Sequence, residues 1–334
     1  MKRIISLFLT LTTLFLLLTS CKNNTDNSTA ETVNVSALAT HDQVQELVIK
    51  GEIDVAILPE PKATIAINKA KQNGVNYSIA LNLSSEWSAI STSPLAMGCL
   101  AANNTSLSEK SKEIDYFLSL YEGSINYINN PENNETAAGM IVSEGILPQL
   151  PVAKSALTHL YGSIVYQDGA EMKNTLTAFY DSIKIAQPDN SFYYTPSTAT
   201  DSGSKKLTIG VMNGPTGMGM AKLMNDSKEN SQYEFRLYNS PQNAIIDLKD
   251  GTIDLACLPT NAVANSANKG MPFTSVAINT LGSLYVIVKE GVTVNNINDL
   301  IGKTVYYGEP TSTTLPIFAY ILEKNTIEVK SLDE

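Results

Sequence analysis

The chain has 334 residues, of which 43% are hydrophobic and 17% charged, and its formal net charge is −10 at pH 7. A globular protein of this length can form two hydrophobic cores, and the composition excludes a disordered or fibrous chain. The net negative charge and the lack of a basic run argue against a nucleic-acid-binding surface.

The N-terminal segment reads as a leader followed by a tether. Two basic residues precede an apolar stretch at 4–18, and Leu-Thr-Ser-Cys ends at Cys21. This pattern resembles the signal peptide and lipobox of bacterial lipoproteins, which implies that residues 1–21 are the signal and that Cys21 is lipidated. Residues 22–31 are polar and predict a tether. An uncleaved transmembrane anchor is the alternative, although the apolar stretch is short for a membrane span.

From residue 32 onward, the pattern predicts two α/β parts separated by a helical part and a linker. The first α/β part has predicted strands at 32–36, 77–83 and 95–102 and predicted helices at 43–50 and 63–72. Helices without intervening strands are predicted at 109–128, 134–144, 150–161 and 170–186. Residues 188–204 are polar and rich in turn formers, which predicts a linker. The second α/β part has predicted strands at 206–212, 233–238, 273–279, 284–288 and 303–307.

One phrase of eleven residues occurs twice, at 51–61 and 251–261. The two copies read Gly-Glu-Ile-Asp-Val-Ala-Ile-Leu-Pro-Glu-Pro and Gly-Thr-Ile-Asp-Leu-Ala-Cys-Leu-Pro-Thr-Asn. Each follows an amphipathic helical pattern, so its glycine is expected to end a helix and its apolar run to form a strand buried on both faces. Two such units predict two similar Rossmann-like lobes. Ligands bind beyond the carboxyl ends of strands in such sheets, so residues 59–61 and 259–261 are expected to face each other across a cleft.

Residues that often carry catalysis are sparse. Cys99 and Cys257 lie in apolar runs and are expected to be buried free thiols, with a disulfide between them as the alternative. His41 and His159 lie in unrelated units and are expected to be ordinary surface or capping histidines, so no metal site and no cofactor are predicted. Trp87 is expected either to stack on a ligand or to pack within its own lobe. Four tyrosines near strand ends are expected either to form an aromatic wall of the cleft or to be ordinary half-buried strand residues: Tyr238, Tyr285, Tyr306 and Tyr307.

Two helix starts are candidate ligand-binding positions, because helix N-termini have unpaired N–H groups and a positive dipole end. The first comprises Asn213, Gly214, Pro215, Thr216, Gly217 and Met218, where glycine allows close backbone approach. The second comprises Thr311, Ser312 and Thr313. Ordinary capped turns are the alternative for both. Neither is a Walker A loop, because no Gly-Lys-Ser/Thr follows.

The strand ends of the repeat add three further candidates. Thr260 and Asn261 are neutral hydrogen-bonding residues at the end of the second copy. Glu60 lies between two prolines at the end of the first copy. Its carboxylate is expected to bind an amine or cationic ligand, to bridge the lobes, or to contact a transport partner.

Four segments together look like the substrate-binding lipoproteins of ABC importers: 53–61, 207–219, 251–261 and 300–306. The branch they resemble is the type II periplasmic-binding fold, near the sulfonate, taurine and thiamine-precursor binders. The resemblance covers essentially the whole chain after the leader. It implies two α/β lobes around a ligand cleft, an ABC permease as partner, and a monomer.

The order of segments differs from that family, because the segment resembling the family's first part is here the second. The chain therefore reads as a circular permutant in which residues 188–204 join the ancestral termini. Lobe B is expected to comprise 32–97 plus 285–334, and lobe A 98–187 plus 205–284. The strand at 32–36 is expected to pair with the strand at 303–307, and the two ends of the folded region are expected to meet in the loop before residue 32.

The resemblance implies a solute-binding component that closes on a small polar or anionic molecule and delivers it to a permease, without catalysis. A ligand-transforming enzyme of the same fold, of the pyrimidine or menaquinone-pathway type, is the first alternative. A sensing lipoprotein without transport is the second. The lipobox and the lack of a histidine or cysteine constellation argue against the enzyme.

Overall fold

A computed structural model describes residues 31–199, 201–310 and 312–333. Its first elements are β1 (Thr32–Leu38), α1 (His41–Lys50), β2 (Val55–Pro59), α2 (Lys62–Gln72), β3 (Tyr77–Asn82) and α3 (Leu83–Ile90). The chain then forms β4 (Ala96–Asn103), α4 (Asn104–Glu109), α5 (Ser111–Ile128), α6 (Asn134–Ser143), α7 (Leu150–Leu160), β5 (Ile164–Gln167) and α8 (Gly169–Ser182). The predicted helical part therefore contains one strand, β5, that its sequence pattern did not indicate.

The second half follows the same alternation of strands and helices. It contains β6 (Leu207–Met212), α9 (Pro215–Met218), α10 (Ala221–Asp226), β7 (Tyr233–Tyr238), α11 (Pro241–Lys249), β8 (Leu255–Pro259), α12 (Thr260–Asn268) and β9 (Phe273–Leu281). The last elements are β10 (Leu284–Lys289), β11 (Thr304–Gly308), α13 (Thr314–Lys324) and β12 (Glu328–Ser331).

The strands form two six-stranded sheets, which define the two lobes. The sheet of lobe B has the order β12-β1-β11-β2-β10-β3, and the sheet of lobe A has the order β7-β6-β8-β4-β9-β5. Helices pack against both sheets, as the near-continuous apolar strands β2 and β8 require. The expected fold class, two similar α/β lobes with a cleft between them, is confirmed.

The eleven-residue repeat has the same structure in both lobes. Gly51 and Gly251 have φ angles of 73° and 70°, a left-handed conformation that ends the preceding helix at little steric cost because glycine has no Cβ. The apolar runs after them are the buried strands β2 and β8. Each strand then ends in proline at the edge of the cleft.

Five of the six strands in each sheet have the same order when lobe B is read from β11, while the sixth strands, β12 and β5, lie at opposite edges. In lobe A five neighbouring strands lie in the order β7, β6, β8, β4 and β9. If β6 is counted as the first strand, these are the second, the first, the third, the inserted antiparallel and the fourth strand. In lobe B the same order results if β11 is first, β1 second, β2 third, the antiparallel β10 inserted and β3 fourth. The lobes therefore match only if the C-terminal segment is counted before the N-terminal one.

The predicted pairing of the first strand is confirmed, and the expected position of the chain ends is wrong. β1 pairs with β11 in parallel, with Asn34 opposite Thr304. β12 also pairs with β1 in parallel, so Ser331 lies opposite Val35 rather than before the start of β1. A direct join from there to residue 32 would have to return along the strand for about 10 Å, since a strand rises about 3.3 Å per residue.

The buried thiols follow the sequence prediction. Cys99 and Cys257 are both free and fully buried in the adjacent strands β4 and β8. Burial raises the pKa of each thiol to about 12, so both are unreactive at neutral pH. Cys99 packs in a core shared by helices and strands of both lobes, and Cys257 in the core of lobe A.

Candidate functional site

A cavity of about 670 Å³ lies between the two lobes. Its walls are the carboxyl ends of strands and the helix starts that follow them, which is the position the repeat predicts. Lobe A contributes the loop after β6 and the starts of α11 and α12. Lobe B contributes the ends of β2 and β11 and the starts of α1, α2 and α13.

Most of the predicted site residues that the structure describes line this cavity. They are Glu60, Asn213, Gly214, Pro215, Thr216, Asn261, Ser312 and Thr313. Three others do not line it: Gly217, Met218 and Thr260. Thr311 and Cys21 lie outside the described residues.

Thr260 and Met218 face the interior of the protein instead of the cavity. The Thr260 hydroxyl is fully buried and donates a hydrogen bond to the Ala96 carbonyl at 2.6 Å. The Met218 side chain is fully buried in the core of lobe A. Packing and hydrogen bonding therefore occupy both side chains, and neither lines the cavity in this conformation.

Gly217 allows a close approach, but to its own strand and not to a ligand. A Cβ atom at this position would lie 2.0 Å from the Met212 carbonyl oxygen and 2.8 Å from a Val211 methyl group. Gly217 itself does not line the cavity. The glycine is needed because α9 packs directly on β6.

The loop at the start of α9 is fixed by the backbone conformation of Gly214 and by a hydrogen bond from the buried Asn279. The backbone of Gly214 has φ 126°, a conformation that glycine alone adopts easily. Asn279 is 1% exposed and its amide donates a hydrogen bond to the Thr216 carbonyl at 3.2 Å. Asn213 and Thr216 are thereby fixed at the cavity wall.

The opposite wall in lobe B is formed by the start of α13. The Thr314 backbone N–H donates to the Ser312 hydroxyl at 3.3 Å, and the Thr313 hydroxyl contacts the Met97 sulfur at 3.8 Å. Met97 belongs to β4 of lobe A, so this wall touches both lobes. Ser312 and Thr313 thus contribute hydroxyl groups to the cavity, as the second predicted helix start implied.

Sequence reasoning missed a charged group on the lobe B side of the cavity. It comprises His41, Asp42, Lys62 and Glu309. Lys62 forms an ion pair with Asp42, and the His41 Nε2 atom lies 3.8 Å from a Glu309 carboxylate oxygen. The signal was present, since these residues follow β1, β2 and β11 at the strand edge that the repeat assigns to the cleft.

His41 is a buried neutral imidazole and not a surface histidine. It is 7% exposed, and burial together with the Lys62 ammonium lowers its pKa to about 4. The Nδ1 atom is buried without a hydrogen-bond partner. Burial raises the pKa of Glu309, against the lowering effect of the Lys62 ammonium, and Asp42 adds a smaller raising effect. The group therefore has one ion pair, Lys62 with Asp42, and a second carboxylate, Glu309, that interacts with the same ammonium.

Glu60 joins the lobes. Its side chain is fully buried and accepts hydrogen bonds from the Thr64 hydroxyl at 2.8 Å and the Thr64 backbone N–H at 3.2 Å. His159, which lies on α7 of lobe A, donates from Nδ1 to the same carboxylate at 2.7 Å. Of the three roles expected for Glu60, this geometry matches the bridge. The prediction that His159 is an ordinary surface or capping residue is wrong.

The aromatic candidates lie outside the cavity lining. Trp87 is fully buried, its indole N–H donates to the Ser93 carbonyl at 2.6 Å, and its ring packs on Phe179 and Tyr320. Its packing reading therefore holds in part, because Tyr320 belongs to lobe B but Phe179 lies on α8 of lobe A, and the ring does not line the cavity. The structure does not place Tyr238, Tyr285, Tyr306 or Tyr307 on the cavity wall.

The described residues form neither a metal site nor a membrane-spanning helix. Within 31–199, 201–310 and 312–333, no group of three or more acidic, histidine or cysteine side chains is arranged to hold a metal ion. No helix in those ranges is both long and apolar enough to span a membrane.

Comparison with known proteins gives similar solved structures but no matching family model and no matching curated protein. One is substrate-binding domain 2 of GlnP from Lactococcus lactis in an open conformation, with 9% identity, coverage of 81% of this chain and 85% of that chain, and a TM-score of 0.31. Another is the second substrate-binding domain of a putative amino acid ABC transporter from Streptococcus pneumoniae, with 11% identity, 87% and 98% coverage, and a TM-score of 0.29. A third is AgtB from A. tumefaciens in complex with agropinic acid, with 10% identity, 86% and 70% coverage, and a TM-score of 0.30.

Proposed function

We propose that the chain is the solute-binding component of an ABC importer, which captures a small polar molecule between its lobes and delivers it to a permease. The observation that carries this proposal is the cavity of about 670 Å³ with polar side chains from both lobes on its walls. A volume of this size suits a small molecule, since ligand cavities typically measure about 300–1,000 Å³.

The lining favours a polar ligand over a strongly anionic one. Neutral hydrogen-bonding side chains predominate among the polar lining residues. They comprise five amides, Asn213, Asn239, Gln242, Asn261 and Asn265, and six hydroxyls, Thr216, Thr280, Ser283, Ser312, Thr313 and Thr314. Among the described lining residues, Lys62 is the only lysine or arginine, and it is paired with Asp42. An anion would gain little from that ammonium and would be repelled by Glu309. A neutral polar molecule or an amine meets no such cost.

Capture by lobe closure follows from the connections between the sheets. Within the described ranges, the chain passes from lobe B to lobe A after α3, through residues 91–95, and returns through residues 282–283. Two short connections, of which 282–283 borders the cavity at Ser283, would allow the lobes to rotate as rigid bodies while each sheet stays intact. A ligand that contacts both walls shifts the population toward the closed form.

The segment order supports circular permutation relative to the importer lipoproteins that the sequence resembles. The supporting observation is the shared strand order, which requires β11 to precede β1. A chain rebuilt to begin at residue 205 and to continue from 333 into 32 through a short flexible linker is expected to keep its fold and its ligand. Loss of cooperative unfolding in that chain would contradict the permutation.

The membrane anchor and the cell-envelope location rest on the lipobox at residues 18–21. With Cys21 lipidated, the tether at 22–31 would carry the two lobes on the extracytoplasmic side of the membrane. The tether would then enter lobe B directly at β1. We propose that the chain, attached to the membrane through lobe B, presents its cleft to the permease.

A thermal-shift screen tests the proposal with sulfonates, carboxylates, amino acids, amines and pyrimidines as probes. A compound present at a hundred times its Kd should stabilise the chain by about 2.7 kcal/mol. Asn213→Ala and Ser312→Ala, one on each wall, should reduce the shift, whereas Thr158→Ala on the exposed face of α7 should not. A stabilising compound that acts equally on all three variants would place binding outside this cavity.

A further inference from the structure

The contact between His159 and Glu60 is the point at which one side chain of lobe A meets several groups of lobe B. The Glu60 carboxylate receives the imidazole N–H at 2.7 Å, and the Thr64 hydroxyl lies 3.2 Å from the same nitrogen. The Tyr285 hydroxyl, from β10, donates to the His159 backbone carbonyl at 2.8 Å. Three groups of lobe B therefore hold one residue of α7.

The two partners differ strongly in their access to water. The Glu60 side chain is fully buried, and the His159 side chain is 36% exposed. Opening the cleft at this point would remove the imidazole from the carboxylate and leave Glu60 with hydrogen bonds from Thr64 alone. A buried carboxylate that loses a charged donor is destabilised, so the contact favours the arrangement of the two lobes seen in this structure.

We propose that His159 is a positioning residue for lobe closure, and that its protonated imidazole latches the lobes together through Glu60. The inference rests on the proposed closure of the two lobes. Since Glu60 lines the cavity and His159 does not, ligand retention becomes dependent on a residue that touches no ligand.

The electrostatic surroundings support this role. The hydrogen bond and charge of Glu60 raise the pKa of His159 above its usual value, against the opposing effect of burial. Tyr285 is the other titratable group that packs on His159, and burial raises its pKa to about 12, so it stays neutral in the relevant range. Thr64 does not titrate. Glu60 is therefore the group whose charge the imidazole senses.

The direction of the pH effect follows from the raised pKa. Below the ordinary histidine value of about 6.5 the imidazole is charged and the latch is complete. As the pH rises through the raised pKa, the imidazole loses its charge, so the ion pair becomes a hydrogen bond from a neutral imidazole to the carboxylate, without the attraction between opposite charges. The closed form should then lose population, and the chain should release its ligand more readily.

The test measures closure without any ligand, by small-angle X-ray scattering between about pH 5.5 and pH 9. The radius of gyration of the unmodified chain should increase with pH. His159→Gln should abolish this pH dependence, and because the side chain is partly exposed the variant should fold. Glu60→Gln should abolish it as well. The matched control is Lys206→Gln, which removes the exposed ion pair between Lys206 and Glu234 within lobe A and should behave like the unmodified chain.

NMR of the histidine side chains provides a second readout, since the chain has only two histidines. The His159 resonance should titrate above the usual pKa and move down in Glu60→Gln. A radius of gyration that is independent of pH, or that changes equally in His159→Gln, would overturn the latch. A thermal-shift screen without any stabilising probe would instead overturn the proposed function and leave the scattering result intact, so the two failures are distinguishable.

Discussion

Gly217 provides a sharp test of how the cavity wall is built, because its role is structural. In Gly217→Ala the new Cβ would lie 2.0 Å from the Met212 carbonyl oxygen, closer than any real contact, so α9 or β6 must move by more than 1 Å. Overpacking typically costs about 1–3 kcal/mol, and we expect about 3 kcal/mol because the obstructing atom belongs to the backbone. With an unfolding entropy of about 2.1 cal/mol/K per residue over roughly 300 residues, the Tm should fall by about 5 °C.

Matched glycine variants at helix positions with room for a Cβ atom make the comparison quantitative. A Cβ at Gly123 in α5 or at Gly139 in α6 would meet no atom within 4 Å. Gly123→Ala and Gly139→Ala should therefore stabilise the chain by about 0.5–1 kcal/mol each through helix propensity. Differential scanning calorimetry of the three variants measures the contrast. A Gly217→Ala variant as stable as the two controls would refute the close packing of α9 on β6.

Three further outcomes are expected. The His41 imidazole has a pKa of about 4 in the folded chain and about 6.5 in the unfolded chain. Between these values the unfolded chain binds a proton that the folded chain does not. The free energy of unfolding should therefore fall by up to about 3 kcal/mol as the pH drops from 6.5 to 4. His41→Gln should flatten this part of the profile in urea titrations. Trp87→Ala should cost about 3–5 kcal/mol in the same assay, because the ring is fully buried. Cys21→Ser should release the chain from membranes, and unchanged lipid labelling would contradict the lipobox.

The two-lobed fold could be predicted because the repeat at 51–61 and 251–261 carries local and long-range information together. Each glycine ends a helix, and each apolar run is long enough for one strand buried on both faces. The pairing of β1 with β11 followed from the same logic, since an isolated parallel edge would leave backbone groups unpaired. The parallel addition of β12 was missed because four residues carry no register signal.

The candidate site was predicted in outline because strand ends and helix starts mark one edge of each sheet. Which side chain points into the cavity was not predictable, since Thr260 and Asn261 are adjacent and only Asn261 lines it. The sequence also gave no sign that His159 meets Glu60, 99 residues away, because that contact depends on how α7 of one lobe lies against the other. Side-chain pairs between lobes are properties of the assembled fold.

A crystal structure of the chain with the strongest stabilising compound from the thermal-shift screen tests the central claim most directly. The account predicts electron density for that compound between the two lobes, in contact with Asn213 or Thr216 on one wall and with Ser312 or Thr313 on the other. Density on the outer surface of either lobe, with an empty cleft, would contradict it.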